Sequence, residues 1–419
     1  MVRLRASFLL ILISFAAAIA VPATARPAGD RPPVVIIVSL DGFRPDYLDR
    51  GVTPNLSALA ARGVTAPMRP AFPTRTFPNH WAMVTGVRPD RNGIIGNRME
   101  DPARPGEVFT LASDDPFWWN AASPIWVDAE RAGIRTATIF WPGSNVGWGG
   151  TRPAKPASAP IVGGTRPEDW LQFNGEVTPT QRVNTVLDWL RRPAAIRPRL
   201  VAAYFESVDS AGHQFGPDDP RTTRAVADAD KTIGTLIAGL RDLGQPADLV
   251  VVSDHGMAAT SSERVIAADT LADPSLYRLV DSGPFAAFAP SQGNEDKLAA
   301  ALLKPHEHMQ CWRKADIPAH LALGRNPRVT PLFCLAEVGW TILPAAPTEP
   351  VDGGSHGYDN DAPEMTALFI AAGPHFAQGV KLGKFDNVDV EPLLRDLLGM
   401  QPSPAIDGSD APFRGVLHE

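Results

Sequence analysis

Three apolar runs in this chain each lead into acidic or imidazole residues. Val34-Val35-Ile36-Ile37-Val38-Ser39-Leu40 closes on Asp41, Leu200 to Phe205 is followed by Asp209, and Leu249-Val250-Val251-Val252-Ser253 leads into Asp254-His255. Unbroken aliphatic runs of this length predict strands buried on both faces, the pattern of a parallel sheet. Residues just past the C-terminal ends of such strands converge on the crevice where open α/β sheets hold their sites. A chain of this kind is expected to place acids and imidazoles together at one end of its sheet.

Strand-like runs at 135–140 and 367–371 extend the series, and helical patterns with start and stop signals alternate with them. Thr53-Pro54 opens a helix closed by Gly63, Ser123-Pro124 opens one ending at Gly133, and Thr178-Pro179 opens a third. Val226 to Leu243 is amphipathic and stops at Gly244. This alternation predicts an α/β fold, a mostly parallel central sheet with helices on both faces. With 419 residues and 44% hydrophobic content the chain can bury a large core. Gly143 to Gly164 reads as a long surface loop. The segment from about Leu271 to Pro347 has weaker periodicity and reads as a small inserted subdomain.

At the N-terminus, Arg3 and Arg5 precede an apolar stretch from Phe8 to Val21, then Ala23-Thr24-Ala25. That is the pattern of a secretory signal over residues 1–25, with the mature chain, 26–419, starting near Arg26. A lone membrane anchor is the competing reading, but the stretch is shorter than the roughly 20 residues a span requires and Pro22 ends it. A periplasmic or secreted location is therefore expected, where the two cysteines, Cys311 and Cys334, can pair. A bridge there would contribute on the order of 3 kcal/mol; two separate buried thiols are the alternative. Loss of Arg3 and Arg5 takes the formal charge from -7 to -9. No basic surface is then expected to recruit nucleic acid.

Thr76 lies directly before a helical pattern that runs to Thr85-Gly86, which predicts an N-cap. A hydroxyl at a helix N-terminus beside a cation can equally serve as a nucleophile. Other residues favour the second use. Asp209 and His213 are four apart, close enough to share an ion if the backbone turns tightly at Gly212, and His356 adds a second imidazole. One carboxylate and two imidazoles are a normal donor set for zinc. Asp254 and His255, with Asp41 and the Thr76 oxygen, make a second set.

The motifs Ser39-Leu40-Asp41-Gly42-Phe43-Arg44, Thr74-Arg75-Thr76-Phe77-Pro78-Asn79-His80, Gly93-Ile94-Ile95-Gly96-Asn97 and Trp141-Pro142-Gly143-Ser144 continue into Asp209-Ser210-Ala211-Gly212-His213, Ser253-Asp254-His255-Gly256-Met257 and His356-Gly357-Tyr358-Asp359-Asn360. Together, from about Val34 to Pro374, they resemble the nucleotide pyrophosphatase/phosphodiesterases of the alkaline phosphatase superfamily. The recognisable region nearly fills the chain, as in a compact bacterial-type single-domain member. The resemblance implies an alkaline-phosphatase-like fold and two Zn2+ ions, one on Asp209, His213 and His356, the other on Asp41, Thr76, Asp254 and His255. It implies Thr76 as nucleophile through a phosphothreonine intermediate, and Asn97 as the amide facing a phosphoryl oxygen. On sequence alone Asn97 reads as readily as a left-handed turn residue.

Phe77 and Phe173 match aromatics that face the two sides of a nucleobase, with Tyr204 and Trp141 completing the pocket. The substrates so implied are small-molecule nucleotides, cleaved to nucleoside 5'-monophosphates, with no protein partner indicated. A choline-type lysophospholipid or glycerophosphodiester hydrolase is the nearest alternative, but the long insert Gly143 to Gly164 and the two phenylalanines favour a nucleotide, since a choline site should show an acidic, Trp/Tyr-rich cage. A phosphomonoesterase is further off, since no arginine is clearly placed to clamp a phosphate, although Arg75 adjoins Thr76. A non-catalytic binding protein would be signalled by a missing ligand, and none is missing.

Overall fold

The computed structural model describes residues 31–153 and 159–418. The leader expected at residues 1–25 lies outside the described residues. Among the latter, nine strands form the central sheet: β1 (Val34–Leu40), β2 (Val64–Arg69), β3 (Thr136–Ile139), β4 (Asp169–Leu171), β5 (Leu200–Phe205), β6 (Ala247–Val252), β7 (Ala367–Ala372), β8 (Val380–Lys381) and β9 (Phe385–Asp386). Their order is β8-β2-β7-β6-β1-β5-β3-β4, with β9 also paired to β2. The run β6-β1-β5-β3-β4 is parallel throughout. β7 runs antiparallel to both neighbours, a departure from the parallel direction that its apolar sequence cannot reveal.

Alternate residues of the central strands face opposite layers. Val35, Ile37, Leu200, Ala202, Val250 and Val252 pack under α2 (Thr76–Thr85), α3 (Ile125–Arg131) and α7 (Val390–Leu398). Val34, Ile36, Val38, Val201, Ala203 and Val251 pack under α1 (Pro54–Ala61), α4 (Pro179–Arg191) and α6 (Pro220–Asp242). Both faces of β1 are therefore dry, as its unbroken aliphatic run requires. Helix α6 begins six residues before the apolar period does. Asp219 caps it by accepting from the Arg221 N–H and Pro220 occupies the first turn, but the opening turn is too polar to show a hydrophobic period.

Within the 271–347 segment lies a separate four-stranded antiparallel sheet formed by Tyr277–Asp281, Phe285–Pro290, Leu332–Ala336 and Met309–Arg313. Its own apolar cluster includes Phe288, Leu298, Leu302 and Leu332. Cys311 and Cys334 stand directly opposite one another in this sheet and are disulfide-bonded. Described residues of the stretch expected as a loop, Gly143 to Gly164, carry antiparallel bridges, Trp148 to Thr165 and Thr151 to Val162. No helix among the described residues is long and apolar enough to cross a membrane.

Candidate metal centre and nucleophile

Strand ends and two helices bring the seven positions singled out in the sequence together. Asp41 follows β1 and Asp254-His255 follow β6, adjacent parallel strands, so their side chains emerge side by side. Asp209 and His213 lie on α5 (Ser207–Phe215), a regular helix in which the four-residue spacing alone puts both on one face. No tight turn at Gly212 is needed. That glycine instead gives room to Met257, whose Cε would lie 2.9 Å from any added Cβ. His213 Nε2 stands 3.4 Å from Asp209 Oδ1 and 3.0 Å from His356 Nε2. His255 Nε2 stands 3.0 Å from Asp254 Oδ2, 3.5 Å from Asp41 Oδ1 and 3.4 Å from the Thr76 hydroxyl. The His255 and His356 rings stack at 3.5 Å, so the two donor sets adjoin.

The proton inventory of these groups calls for cations. Each of the three imidazoles places Nδ1 on a backbone carbonyl: His213 on Gly354, His255 on Gly256 and His356 on Thr74. A carbonyl only accepts, so Nδ1 carries the proton and each Nε2 presents a lone pair. His213 and His356 therefore aim two lone pairs at each other across 3.0 Å. Asp41 Oδ1, Asp209 Oδ1 and Asp254 Oδ2 are buried without any hydrogen-bond partner. Burial, with the nearby Asp254 and Asp209 charges, holds the Asp41 carboxyl well above its usual range. Burial likewise pushes Asp254 up to about 8. Converging lone pairs and orphaned carboxylate oxygens are what an ion-binding site looks like from the protein's side.

Thr76 is not the cap of α2. Arg75 occupies that position in extended conformation, and Thr76 is the first helical residue, its hydroxyl turned toward His255. The hydroxyl is therefore free of the capping duty expected of it. Asn97 takes over part of that duty: its Oδ1 accepts from the Phe77 N–H at 3.0 Å. It does not adopt the left-handed turn conformation. With its oxygen engaged, the capacity left to the amide is its NH2, a donor.

Beneath the site lies a layer that sequence reasoning did not assign. His80, one turn after Thr76, donates through Nδ1 to the Thr76 carbonyl and accepts through Nε2 from the Ser39 hydroxyl, both at 2.8 Å. Burial keeps its pKa down to about 3, so it stays neutral. Four-residue spacing on a helix was the available signal. Tyr204 and Trp141, expected to line the pocket, belong to this layer. Tyr204 donates its hydroxyl to Asp41 Oδ2 at 2.5 Å, and Trp141 is buried with its Nε1 donating to the His80 carbonyl. A buried indole N–H usually finds such an acceptor. Phe77 packs on Phe109 and Trp119, whereas Phe173 is 51% exposed and touches Tyr204. Arg75 reaches the inserted sheet, donating to the Ser282 carbonyl at 3.3 Å with its guanidinium over Phe285.

An α/β sheet whose strand ends gather two acid-and-imidazole sets around one hydroxyl defines an alkaline-phosphatase-like metallohydrolase. The family model for type I phosphodiesterase/nucleotide pyrophosphatase matches residues 35–359, and the chain belongs to that family of phosphodiester and diphosphate hydrolases. It is 37% identical over 393 residues to an uncharacterised pyrophosphatase/phosphodiesterase of Schizosaccharomyces pombe, covering 88% of this chain and 78% of that one. A bis(5'-adenosyl)-triphosphatase of Xenopus laevis is 35% identical over 382 residues, 90% and 80% of the respective chains. The human ectonucleotide pyrophosphatase/phosphodiesterase 5 structure superposes with a TM-score of 0.85 at 32% identity, covering 92% of this chain and all of that one. An inactive threonine-to-alanine variant of the murine protein, solved with AMP, is equally similar.

Proposed function

We propose that this protein is a di-zinc nucleotide phosphodiesterase/pyrophosphatase that releases nucleoside 5'-monophosphates through a phosphothreonine at Thr76. The observation that carries this reading is the Thr76 hydroxyl within 3.4 Å of His255 Nε2, beside two donor sets that hold orphaned carboxylate oxygens. Asp209, His213 and His356 would hold one ion and Asp41, Thr76, Asp254 and His255 the other; bound there, two cations offset the charge that builds on a transferring phosphoryl group and favour the ionised hydroxyl. Thr76 Oγ1 attacks phosphorus, the P–O bond to the leaving group breaks on the opposite side, and water then hydrolyses the phosphothreonine. Asn97 donates to a non-bridging oxygen throughout. His80 and Tyr204 fix the positions of the Thr76 peptide and the Asp41 carboxylate.

The AMP complex of the inactive murine relative supports both the substrate class and the role of the threonine. The disulfide supports export to an oxidising compartment, periplasmic or extracellular. The experiment is product analysis. ATP and diadenosine polyphosphates should give AMP, whereas choline release from lysophosphatidylcholine without AMP formation from nucleotides would move the protein to the phospholipid branch.

Phe77→Ala and Phe173→Ala test the base site. Each should raise KM for nucleotides by about 1–3 kcal/mol of lost stacking and change a base-free diester little. Equal losses on both substrates would mean that the rings serve only as packing.

A further inference from the structure

A half-exposed ring cannot hold one orientation without support, and Phe173 receives its support from below. Its edge meets Phe140 at 5.5 Å and Tyr204 at 6.1 Å. Behind these rings sits Arg182 of α4, 1% exposed. Its guanidinium carbon lies 4.7 Å from the Phe140 centroid, 5.7 Å from Phe205 and 5.8 Å from Phe173. Nε donates to the Val177 carbonyl at 2.9 Å and Nη1 to the Tyr204 carbonyl at 3.1 Å, while both Nη groups engage the Glu206 carboxylate. One side chain thereby ties three segments: the loop carrying Phe173, the end of β5, and the turn into the ligand-bearing helix α5.

A buried guanidinium is costly unless its donors are satisfied in a fixed fork. An aliphatic side chain could fill the space, but it could not hold the Val177 and Tyr204 carbonyls in fixed relation. We propose that Arg182, held by Glu206, is a positioning residue for substrate recognition: it pre-sets Phe173 so that a nucleobase meets an ordered ring. The inference rests on the reading that Phe173 contacts the base. Pre-ordering lowers the cost of binding without touching the reacting atoms, so its signature is in KM for nucleotides.

The test compares Arg182→Met, Phe173→Ala and the double variant on two diesters with the same leaving group, p-nitrophenyl thymidine 5'-monophosphate and methyl p-nitrophenyl phosphate. Arg182→Met should raise KM for the thymidine ester about tenfold, with kcat retained and the methyl ester turned over at near the wild-type rate. Added to Phe173→Ala, it should raise KM no further, because its effect passes through that ring. Equal losses on both esters, or an undiminished effect in the Phe173→Ala background, would overturn the proposal. An effective Phe173→Ala beside a silent Arg182→Met would overturn it alone, whereas a silent Phe173→Ala would remove the base-site reading as well. Should Arg182→Met not fold, Glu206→Gln carries the same test: a smaller rise in the same KM is expected, and an unchanged KM overturns the proposal.

Discussion

Thr76→Ala is expected to lower kcat by on the order of 10^4-fold or more, the scale seen when a nucleophile is removed, with fold and metal content largely kept. The retained fold follows from the helix start. Arg75, not Thr76, is the N-cap of α2, and the Thr76 hydroxyl satisfies no backbone donor. Alanine at the first helical position should therefore cost no more than about 0.5 kcal/mol of stability. Six other side chains of the proposed ligand sets remain to hold ions. Thr76→Ser keeps an attacking oxygen and should retain part of the activity. Near-normal diesterase activity in Thr76→Ala, measured on folded and metal-replete protein, would place the nucleophile elsewhere.

Chelation should abolish activity and zinc should restore it, with about two ions per chain at full activity. Three carboxylate oxygens of the donor sets have no protein partner, and three imidazoles present lone pairs to the same space. No rearrangement of protein donors is at hand to satisfy them, so an ion-free chain must take up protons at Asp41 and Asp254 or keep the repulsion between them. Zinc should also raise the thermal midpoint of the chelated protein, because a ligand bound only by the folded state stabilises it. Full activity in a metal-free preparation would contradict the assignment.

The central strands were legible in the sequence because dry parallel strands need unbroken aliphatic runs, and β1, β5 and β6 have them. Their ends could then be read as a site, since parallel strands in one sheet place their C-terminal ends together. β2 was not legible: its burial alternates regularly, but a proline inside a short run argues against a strand, although Pro67 pairs across to Leu368 of β7 in the ladder. The layer under the site was hidden for a different reason. Whether Tyr204 and Trp141 turn toward substrate or toward Asp41 and His80 depends on which buried polar group lacks a partner, and that is decided only in three dimensions. Thr76 was found by its neighbours rather than by its own context, where capping was the ordinary expectation.

The substrate class is the central claim, and the groups around Thr76 set it. A diester presents one negative charge on its non-bridging oxygens, which two cations and the Asn97 amide can satisfy. A monoester carries nearly two and requires further cationic donors. The arginine next to the nucleophile is engaged by the Ser282 carbonyl and the Phe285 ring. Measuring kcat/KM for a nucleotide diester and for the corresponding monoester on one zinc-replete preparation tests this directly. The diester should be preferred by about 10^3-fold or more, and a monoester preference would contradict the account.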